Sequence, residues 1–271
     1  MTDAGIRAAA FGSDHESSKA NGLHGKRHLE PNPDLIKTLV IIPTYNERDG
    51  IAELIRAIRT HAPDADVLVV DDGSPDGTGQ FVRGIAEDDS RVGVLQRGSK
   101  LGLGTAYIEG FRCALRDGYD CAVGMDADFS HDPASLPQFI AATAHCDLVI
   151  GSRYVPGGST PDWKIHRRLI SRFGNWLART VLELPVRDCT TGYKCYRREA
   201  LAALDLDSIT VVGYAFLIET TRQCLAAGLR IREIPITFID RREGKSKMSG
   251  TIAMEALRYL FLRHRQRNQR T

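Results

Sequence analysis

Residues 37–47 read KTLVIIPTYNE, and the character of the sequence changes at Pro43. The residues from Thr38 to Ile42 are β-branched or aliphatic, which is typical of a strand that is buried on both faces. Polar residues follow Pro43 at once, and open α/β sheets bind their ligands just beyond the carboxyl ends of their strands. The stretch therefore predicts a strand of a parallel α/β sheet with a ligand site at its end.

The same pattern recurs along the chain, because four further runs of this kind follow. Segments with helical spacing separate them, such as Ile51 to Arg59 and Thr105 to Arg116. Apolar strands that alternate with helices predict an α/β fold with a mostly parallel sheet that helices flank on both faces. The five runs are KTLVIIPTYNE (37–47), ADVLVVDDGSPDGT (65–78), RVGVLQRG (91–98), YDCAVGMDAD (119–128) and CDLVIGSRY (146–154).

The second half of the chain, from about Tyr154, continues with further elements and shows no internal repeat. We predict an amphipathic helical segment from Trp163 to Leu182, a Gly/Thr-rich turn from Asp188 to Tyr193, a helix from Tyr214 to Ala227, a strand in RIREIPITFID (230–240) and a last helix from Thr251 to His264.

The length of 271 residues suits one large α/β domain, which we expect over residues 35–264. Residues 1–34 are rich in Ser, Gly, His and charge, and we expect a largely disordered extension there. The tail 265–271 is basic. The stretch from Arg263 to Thr271 holds four arginines and no acid, which indicates a solvated helix end or a contact with an anionic membrane surface or partner.

Several classes of location and partner are disfavoured by the composition. The net charge of +2 says little about partners, and no aromatic residues alternate with the basic ones, so we expect no nucleic-acid partner. We find no stretch of about 18 apolar residues and no signal-peptide core, so we expect neither a membrane span nor a signal peptide. Six cysteines without CxxC spacing argue against a zinc site and a disulfide framework, which favours the cytoplasm.

Three polar clusters follow three of the predicted strands directly. They are PTYNE (43–47), DDGS (71–74) and DAD (126–128). Each cluster alone is ordinary turn chemistry, because Asp, Gly, Ser and Pro are the residues that turns use. Together they favour one ligand site, because the carboxyl ends of parallel strands meet at one edge of a sheet.

Asp126 and Asp128 are the candidate metal ligands of this site. If the backbone stays extended there, alternation directs both carboxylates toward the same ligand. Oxygen ligands suit Mg²⁺ or Mn²⁺, and Mg²⁺ commonly completes its shell with substrate phosphates and water. The alternative is a capping role in the helix expected near Pro133, which explains Ser130 or Asp132 better than it explains the Asp126/Asp128 pair.

Five motifs in this order and spacing resemble the family-2 glycosyltransferases of GT-A fold, over about residues 36–262. Among those enzymes the resemblance is strongest to the ones that transfer mannose to a polyprenyl phosphate. It implies a Rossmann-like nucleotide-diphospho-sugar transferase fold. It also implies inverting transfer of mannose from GDP-mannose to a polyprenyl (dolichyl-type) monophosphate, giving a lipid-linked sugar donor for glycosylation. The motifs are PTYNE (43–47), VVDDGSPDGT (69–78), MDADFSHDP (125–133), GSRYVPGG (151–158) and DRREGKSKMSG (240–250).

The resemblance also implies roles for individual residues. One departure is visible, because some relatives carry Gln as a further metal ligand at the position of Ser130. Arg153, Arg241 and Lys247 would contact phosphates of donor or acceptor and, with Asp128, would be the catalytic residues. The donor site would comprise Pro43, Tyr45, Glu47, Val70, Asp71 and Asp72 around the base and ribose, and Asp126, Ala127 and Asp128 at the diphosphate and its Mg²⁺ or Mn²⁺.

The basic residues near the end of the chain suit phosphate binding on physical grounds as well. Arg241, Arg242, Lys245 and Lys247 lie within seven residues, in a glycine-containing loop that is able to close over phosphates or to remain a solvated surface loop. The guanidinium of Arg153 is suited to a two-point grip on a phosphate, or else to a surface ion pair.

An acceptor phosphate needs no general base. A phosphate monoester has its second pKa near 6, so it is already a dianion at neutral pH. We therefore predict that no single base is essential and that the enzyme mainly aligns the reactants and stabilises the leaving diphosphate. Asp188 and Glu219 are the acids to suspect otherwise. Their alternative role is support, with Asp188 orienting a turn and Glu219 paired with a cation.

A lipid acceptor implies contact with a membrane. The segment RLISRFGNWLARTVLELP (168–185) places Leu169, Phe173, Trp176 and Leu177 at helical spacing near several arginines. This is an interfacial helix or a helix packed on the sheet. We expect a peripheral protein at the cytoplasmic face of a membrane, with a small membrane-anchored protein as a possible partner.

Three other functions are weighed against this one. A glucosyltransferase that uses UDP-glucose and the same acceptor shares every motif. A non-catalytic nucleotide-sugar-binding subunit has no need to keep both aspartates and the basic loop. A NAD-dependent oxidoreductase is disfavoured, because no G-x-G-x-x-G follows the first strand and GLGTA (102–106) lacks the full fingerprint.

Overall fold

The computed structural model describes residues 36–211, 213–240, 257–263 and 265. Within these residues, seven strands form one sheet in the order β3-β2-β1-β4-β6-β5-β7. All neighbouring pairs are parallel except the two that involve β6. The strands are β1 (Thr38–Thr44), β2 (Asp66–Asp71), β3 (Val92–Gln96), β4 (Cys121–Gly124), β5 (Leu148–Ser152), β6 (Lys194–Arg197) and β7 (Ile231–Pro235).

Helices cover both faces of the sheet, as the alternation of runs predicts. In β1, Leu39 and Ile41 belong to the core on one face, and Val40 and Ile42 belong to the core on the other. A strand buried on both faces needs an unbroken apolar run, which is why this segment shows no polar alternation. The helices are α1 (Arg48–His61), α2 (Thr78–Asp88), α3 (Leu103–Arg116), α4 (Leu136–Ala142), α5 (Ile165–Leu182), α6 (Arg198–Ala202) and α7 (Gly213–Ala226).

The two cores divide the helices between the faces. Residues of α3, α6 and α7 fill the core on one face together with Ala178 of α5. Residues of α1, α2 and α4 fill the core on the other. Residues 257–263 are helical, within the range predicted for the last helix, and Tyr259 and Leu260 belong to the first core. The α/β class with a mostly parallel, doubly covered sheet is confirmed.

Strand β6 is an element that the sequence did not reveal. Its four residues, Lys194–Arg197, carry a lysine and an arginine, so they lack the apolar signature of the other strands. Nevertheless Lys194 is fully buried, and its Nζ donates hydrogen bonds to the Leu217 carbonyl and to Thr221 Oγ1 of α7. Pairing partners on both sides, rather than local sequence, place this strand between β4 and β5.

The sheet topology brings the predicted polar clusters to one edge. Thr44 at the end of β1 lies beside Asp71 at the end of β2, and β4 runs parallel to β1 on its other side. The segments that follow β1, β2 and β4 therefore leave the sheet at the same edge.

Some predictions fall on residues outside the described part of the chain. They are the extension 1–34, the loop that contains Arg241, Arg242, Lys245 and Lys247, and all of the tail 265–271 except Arg265. Among the described residues, no helix has the length and apolar character required to cross a membrane.

Candidate active site

Asp71 joins the ends of β1 and β2. Its buried carboxylate accepts hydrogen bonds from Thr44 Oγ1 at 3.0 Å and from the Ser74 backbone N–H at 3.0 Å. Ser74 Oγ in turn accepts from the Asn46 backbone N–H at 3.0 Å, and Asn46 takes a positive φ of 58°. The two strand-end segments are thus held together by side chains, with Asp71 engaged inside the protein.

Asp72 is held by residues of the β3–α3 connection. The guanidinium of buried Arg97 pairs with its carboxylate, and the Gly102 backbone N–H donates to Asp72 Oδ2 at 3.0 Å. Arg97 Nη1 also donates to Thr105 Oγ1 at 2.7 Å. Sequence reasoning missed this clamp, although the basic residue in RGSKLGLGTA (97–106) after the third strand was an available signal.

The partly exposed residues of the predicted donor pocket lie beside this clamp. Pro43 lies within β1, Tyr45 and Glu47 follow it, and all three are partly exposed, whereas Val70 is a core residue. Lys100 from the β3–α3 connection places its Nζ over the Tyr45 ring, 4.0 Å from the centroid. A cation and an aromatic ring therefore meet at the edge where the strand ends converge.

The Asp126–Asp128 segment departs from the sequence prediction in its backbone. Strand β4 ends at Gly124, residues 127 and 128 form a turn, and Phe129 takes a φ of 58°. The premise of an extended segment is therefore corrected, because a turn rather than strand alternation places the two carboxylates. The turn is supported by Asp128 Oδ1, which accepts the Ser130 backbone N–H at 3.1 Å.

Asp132, not Asp128, caps the following helical turn. Its side chain accepts from the Ala134 backbone N–H at 2.9 Å at the start of the short helix Pro133–Ser135. This leaves both Asp126 and Asp128, which are partly exposed, outside the helix cap.

His131 holds the Asp126 side of the turn from within. Its Nδ1 accepts the Asp126 backbone N–H at 3.1 Å, so Nε2 carries the hydrogen of the neutral ring, and Nε2 lies 3.8 Å from Asp126 Oδ2. Burial lowers the pKa of His131 against the opposing influence of Asp126 and Asp128. Burial, with a further contribution from Asp126, raises the pKa of Tyr107 on α3.

Gly192 leaves a small polar space beside Asp126. A Cβ at this position would lie 3.2 Å from Asp126 Oδ1, 3.5 Å from Tyr107 Oη and 3.6 Å from His131 Cε1. The three side chains therefore surround one point that only a glycine leaves empty. Sequence reasoning named the turn from Asp188 to Tyr193 but not this contact, nor the parts played by Tyr107 and His131.

The residues of this turn fit a divalent cation. Two partly exposed carboxylates supply oxygen ligands, and the buried Ser130 Oγ has no hydrogen-bond partner among the described residues. Oxygen-rich sites of this kind suit Mg²⁺ or Mn²⁺. In the described residues no cluster of three or more His, Cys, Asp or Glu side chains could hold a metal. Substrate phosphates and water commonly complete the shell of Mg²⁺.

Arg153 makes its two-point grip inside the protein. Its Nε and Nη2 donate to the two carboxylate oxygens of Asp188 at 2.7 Å each, and both residues are buried. Asp188 therefore engages two nitrogens of this guanidinium in a buried ion pair rather than a surface one, and a phosphate contact of Arg153 stays a prediction. Burial alone would raise the pKa of Asp188, but the Arg153 guanidinium overcomes this effect and holds that pKa below its usual value.

Asp188 and Glu219 both occupy supporting positions. Asp188 anchors Arg153 and the turn at Thr190. Glu219 is buried and accepts hydrogen bonds from Arg222, Arg263 and Tyr259. Burial disfavours its charge, but these donors prevail and lower the pKa of Glu219 to about 2.

The fold that carries this site is shared with solved structures. The chain is similar in structure to glucosyl-3-phosphoglycerate synthase from Mycobacterium tuberculosis. In its complex with Mn²⁺, UDP and glucosyl-3-phosphoglycerate, the TM-score is 0.62 at 21% identity, over 84% of this chain and 79% of that chain. Its complex with Mg²⁺ and UDP gives a TM-score of 0.61. This likeness establishes the nucleotide-sugar transferase (GT-A) architecture.

Sequence comparison gives the family. A model of glycosyl transferase family 2 matches residues 39–205, and the chain belongs to this family. It is 48% identical to an undecaprenyl-phosphate mannosyltransferase from Micrococcus luteus over 82% of this chain and 91% of that protein. It is 46% identical to a polyprenol monophosphomannose synthase from Mycolicibacterium smegmatis over 82% of this chain and 84% of that protein.

Proposed function

We propose that this protein transfers mannose from GDP-mannose to a polyprenyl monophosphate with inversion at the sugar carbon. The convergence of three polar strand ends at one edge of the sheet, with the Asp126–Asp128 turn among them, is the observation that carries the proposal. Identity of 48% to an undecaprenyl-phosphate mannosyltransferase supports both the sugar and the class of acceptor.

The residues proposed to bind the donor lie at the ends of β1 and β2 and in the Asp126–Asp128 turn. Pro43, Tyr45 and Glu47, with Asp71 and Asp72 fixed behind them, are proposed to receive the nucleoside. Asp126, Ala127 and Asp128 are proposed to face the diphosphate, with the two carboxylates as ligands of Mg²⁺ or Mn²⁺. When bound there, the ion supplies Lewis-acid stabilisation of the charge that develops on the leaving diphosphate.

The transfer itself needs positioning rather than proton removal. A phosphate oxygen of the acceptor dianion forms a bond to the anomeric carbon while the bond from that carbon to the diphosphate breaks and GDP leaves. Arg241 and Lys247 are proposed to contact these phosphates. Arg153, held by Asp188, is proposed to act as a positioning residue next to them. The ion pairs of Asp188 and Glu219 support the view that neither acid serves as a general base.

A transfer assay tests this proposal. Purified protein receives labelled GDP-mannose or UDP-glucose together with a polyprenyl phosphate and Mg²⁺, and the label in the organic phase is counted. We expect label from GDP-mannose, and its loss in EDTA and in the Asp128→Asn variant, by about 100-fold or more. Label in the organic phase from UDP-glucose and not from GDP-mannose would show that UDP-glucose is the donor. Intact nucleotide binding with no transfer from either donor would favour a non-catalytic subunit or the need for a membrane-anchored partner.

We also propose that the protein acts as a peripheral protein at the cytoplasmic face of a membrane, because a polyprenyl chain keeps its acceptor in a bilayer. Fractionation of cells tests this. We expect the protein in the membrane fraction and its release from that fraction by high salt, since peripheral attachment depends on charge. Recovery in the soluble fraction at low salt would contradict it.

A further inference from the structure

Helix α5 carries its large apolar side chains on the outside of the molecule. Ile165, Leu169, Ile170, Phe173 and Trp176 have 74, 62, 59, 60 and 55% of their surface exposed, and we call these five residues the α5 face. At 100° per residue they fall within an arc of about 140°. Of the 18 residues of α5, the buried ones are Asn175 and Ala178, on the opposite side of the helix. The largest apolar side chains of α5 thus lie on its outer side, while Ala178 packs on the core.

Polar contacts anchor the inner side of α5 in addition to its apolar packing, in which Ala178 is buried and Leu177, Val181 and Leu182 are partly buried against the core. Asn175 Nδ2 donates to Thr190 Oγ1 at 2.9 Å, and Asn175 Oδ1 accepts the Cys189 backbone N–H at 2.9 Å. Thr190 Oγ1 also accepts a hydrogen bond from Arg153 Nη2, at 2.8 Å. The helix is therefore anchored on the turn that leads to Gly192, next to the candidate active site.

The charge of α5 is entirely positive. Its 18 residues contain Arg167, Arg168, Arg172 and Arg179 and no aspartate or glutamate. Arg168, Arg172 and Arg179 lie along one border of the α5 face, and Arg167 lies beyond the other. An apolar strip bordered by arginines matches the interface of a bilayer with anionic headgroups, in which apolar side chains enter the acyl region and arginines meet phosphate.

A second exposed apolar patch accompanies this helix. Among the described residues eleven large apolar side chains are exposed, and eight of them lie either on the α5 face or at Leu257, Phe261 and Leu262 of the helical residues 257–263. Arg258 and Arg265 are exposed beside the latter. Both helices pack on the same core, so both lie on the same side of the sheet.

We propose that the α5 face is the surface by which this protein docks on an anionic lipid bilayer. The docking surface rests on the proposed function, because a polyprenyl phosphate acceptor requires contact with a membrane. It adds to that function the surface that makes the contact and the charge of the lipid. A second copy of the chain is a poorer occupant, because two α5 faces in contact would bring eight arginines together without one acid from either helix.

Trp176 gives a direct test, because the protein has two tryptophans and the other, Trp163, is buried. The probe is a vesicle of phosphatidylcholine with about 30% phosphatidylglycerol and no polyprenyl phosphate. We expect sedimentation with these vesicles, a blue shift of tryptophan emission and quenching by brominated acyl chains. The Trp176→Phe variant should lose the optical signals while it still sediments. Vesicles of phosphatidylcholine alone should bind about tenfold less, since the arginines along the border of the α5 face then meet no anionic headgroup.

Variants distinguish vesicle binding through the α5 face from nonspecific binding by other apolar residues. The double substitution Leu169→Gln and Phe173→Gln should weaken partition by about tenfold or more, because two exposed apolar side chains no longer enter the acyl region. Phe81→Gln is the matched control, since Phe81 is exposed on α2, which packs on the opposite face of the sheet, and it should leave partition unchanged.

Two results would overturn the docking surface. One is sedimentation with no shift or quenching of Trp176. The other is equal loss of binding in the Phe81 and α5 variants. A concentration-dependent dimer that the α5 variant abolishes, without vesicle binding, would assign the face to a second copy. If the protein fails to bind vesicles but still transfers mannose to a detergent-solubilised acceptor, the proposed function stands and the docking surface is wrong. Docking without transfer would overturn the function alone.

Discussion

Gly192 shows how one missing side chain shapes the candidate metal site. We predict that Gly192→Ala raises the Mn²⁺ concentration needed for half-maximal transfer by about tenfold, because the new Cβ would lie only 3.2 Å from Asp126 Oδ1 and displaces that carboxylate. Metal titration of activity, with Mn²⁺ binding followed by electron paramagnetic resonance in the presence of GDP, measures the effect.

The control for this substitution is Gly84→Ala, because Gly84 lies on α2 and a Cβ added there would meet no atom within 4 Å. The control should leave the metal titration unchanged and stabilise the helix slightly. An unaltered metal titration in Gly192→Ala would mean that the space beside Asp126 has no part in metal binding.

The buried pair of Arg153 and Asp188 makes a second prediction at this scale. We expect Arg153→Gln to lower the free energy of unfolding by about 3 kcal/mol, because it leaves the Asp188 carboxylate buried without its cation. Urea denaturation measures the change. Adding Asp188→Asn to this variant should recover part of the loss, since the buried charge is then gone.

Arg230 is the matched control, because it also donates twice to one aspartate, Asp147, but is 62% exposed. Arg230→Gln should cost less than about 1 kcal/mol. Equal losses from the two substitutions would show that burial does not govern the energy of the Arg153 pair.

Candidate site residues can be selected from the sequence, but the environments of several of them cannot. Asp126 and Asp128 are recognisable because two acids one residue apart after a buried strand have few structural uses. The partner of Arg153 was not predictable, because Asp188 lies 35 residues further along the chain. Contacts at that separation depend on the tertiary fold, and so do the positions of Arg97 and His131 around the site.

At the scale of elements, the buried Lys194 makes the junction of β6 with α7 sensitive to pH. Burial lowers the pKa of Lys194 from 10.5 to about 8. Between these two values the unfolded chain binds a proton that the folded chain does not, so the free energy of unfolding rises with pH across this window.

We predict that wild type gains stability relative to a Lys194→Met variant by about 1–3 kcal/mol between pH 7 and pH 10. Denaturant unfolding of both proteins at several pH values measures the difference, which removes the contribution of every other titrating group. A difference that is constant across this range would contradict the lowered pKa.

The elements themselves were predictable to unequal degrees. Strands β1, β2, β4 and β5 are recognisable as apolar runs, because burial on both faces excludes polar residues from them. Helix α5 shows the limit of a pattern, because the same periodicity describes a helix packed on the sheet and a helix that faces outward. The exposure of its apolar side chains, together with the polar contacts of Asn175 with the 188–190 turn, decides between the two.

For the molecule as a whole, we predict that metal and nucleotide bind together at the Asp126–Asp128 turn. Because the described residues offer only the two carboxylates as charged ligands, Mn²⁺ alone should raise the melting temperature by less than about 1 °C. Mn²⁺ and GDP at about 100 times their joint dissociation constant should raise it by about 5–10 °C. Differential scanning fluorimetry measures both shifts.

Two comparisons sharpen this measurement. UDP in place of GDP should give a smaller shift if the site selects guanine, and Asp128→Asn should remove the cooperation between nucleotide and Mn²⁺. A full shift with Mn²⁺ alone would point to a complete set of protein ligands and would contradict the proposed shared shell.

The fold class and the family were accessible from the sequence because the motifs follow the strands that create the ligand edge. The family assignment is confirmed by the match over residues 39–205. The donor base and the roles of Arg241 and Lys247 remain predictions, because they depend on contacts that strand patterning does not encode.

The late position of β6 has a consequence for synthesis of the chain. Strand β5 pairs with β6 and β7, and β4 has its second neighbour in β6, so both strands leave the ribosome long before these partners. A nascent chain that stalls before Lys194 would contain strands β1 to β4 in one sheet, with the edge of β4 unpaired. Strand β5 would also be unpaired, because both of its neighbours come later in the chain. While the roughly 40 residues between β5 and β6 are translated, the unpaired edges of β4 and β5 are exposed, so this is the interval in which a chaperone protects the chain most from aggregation.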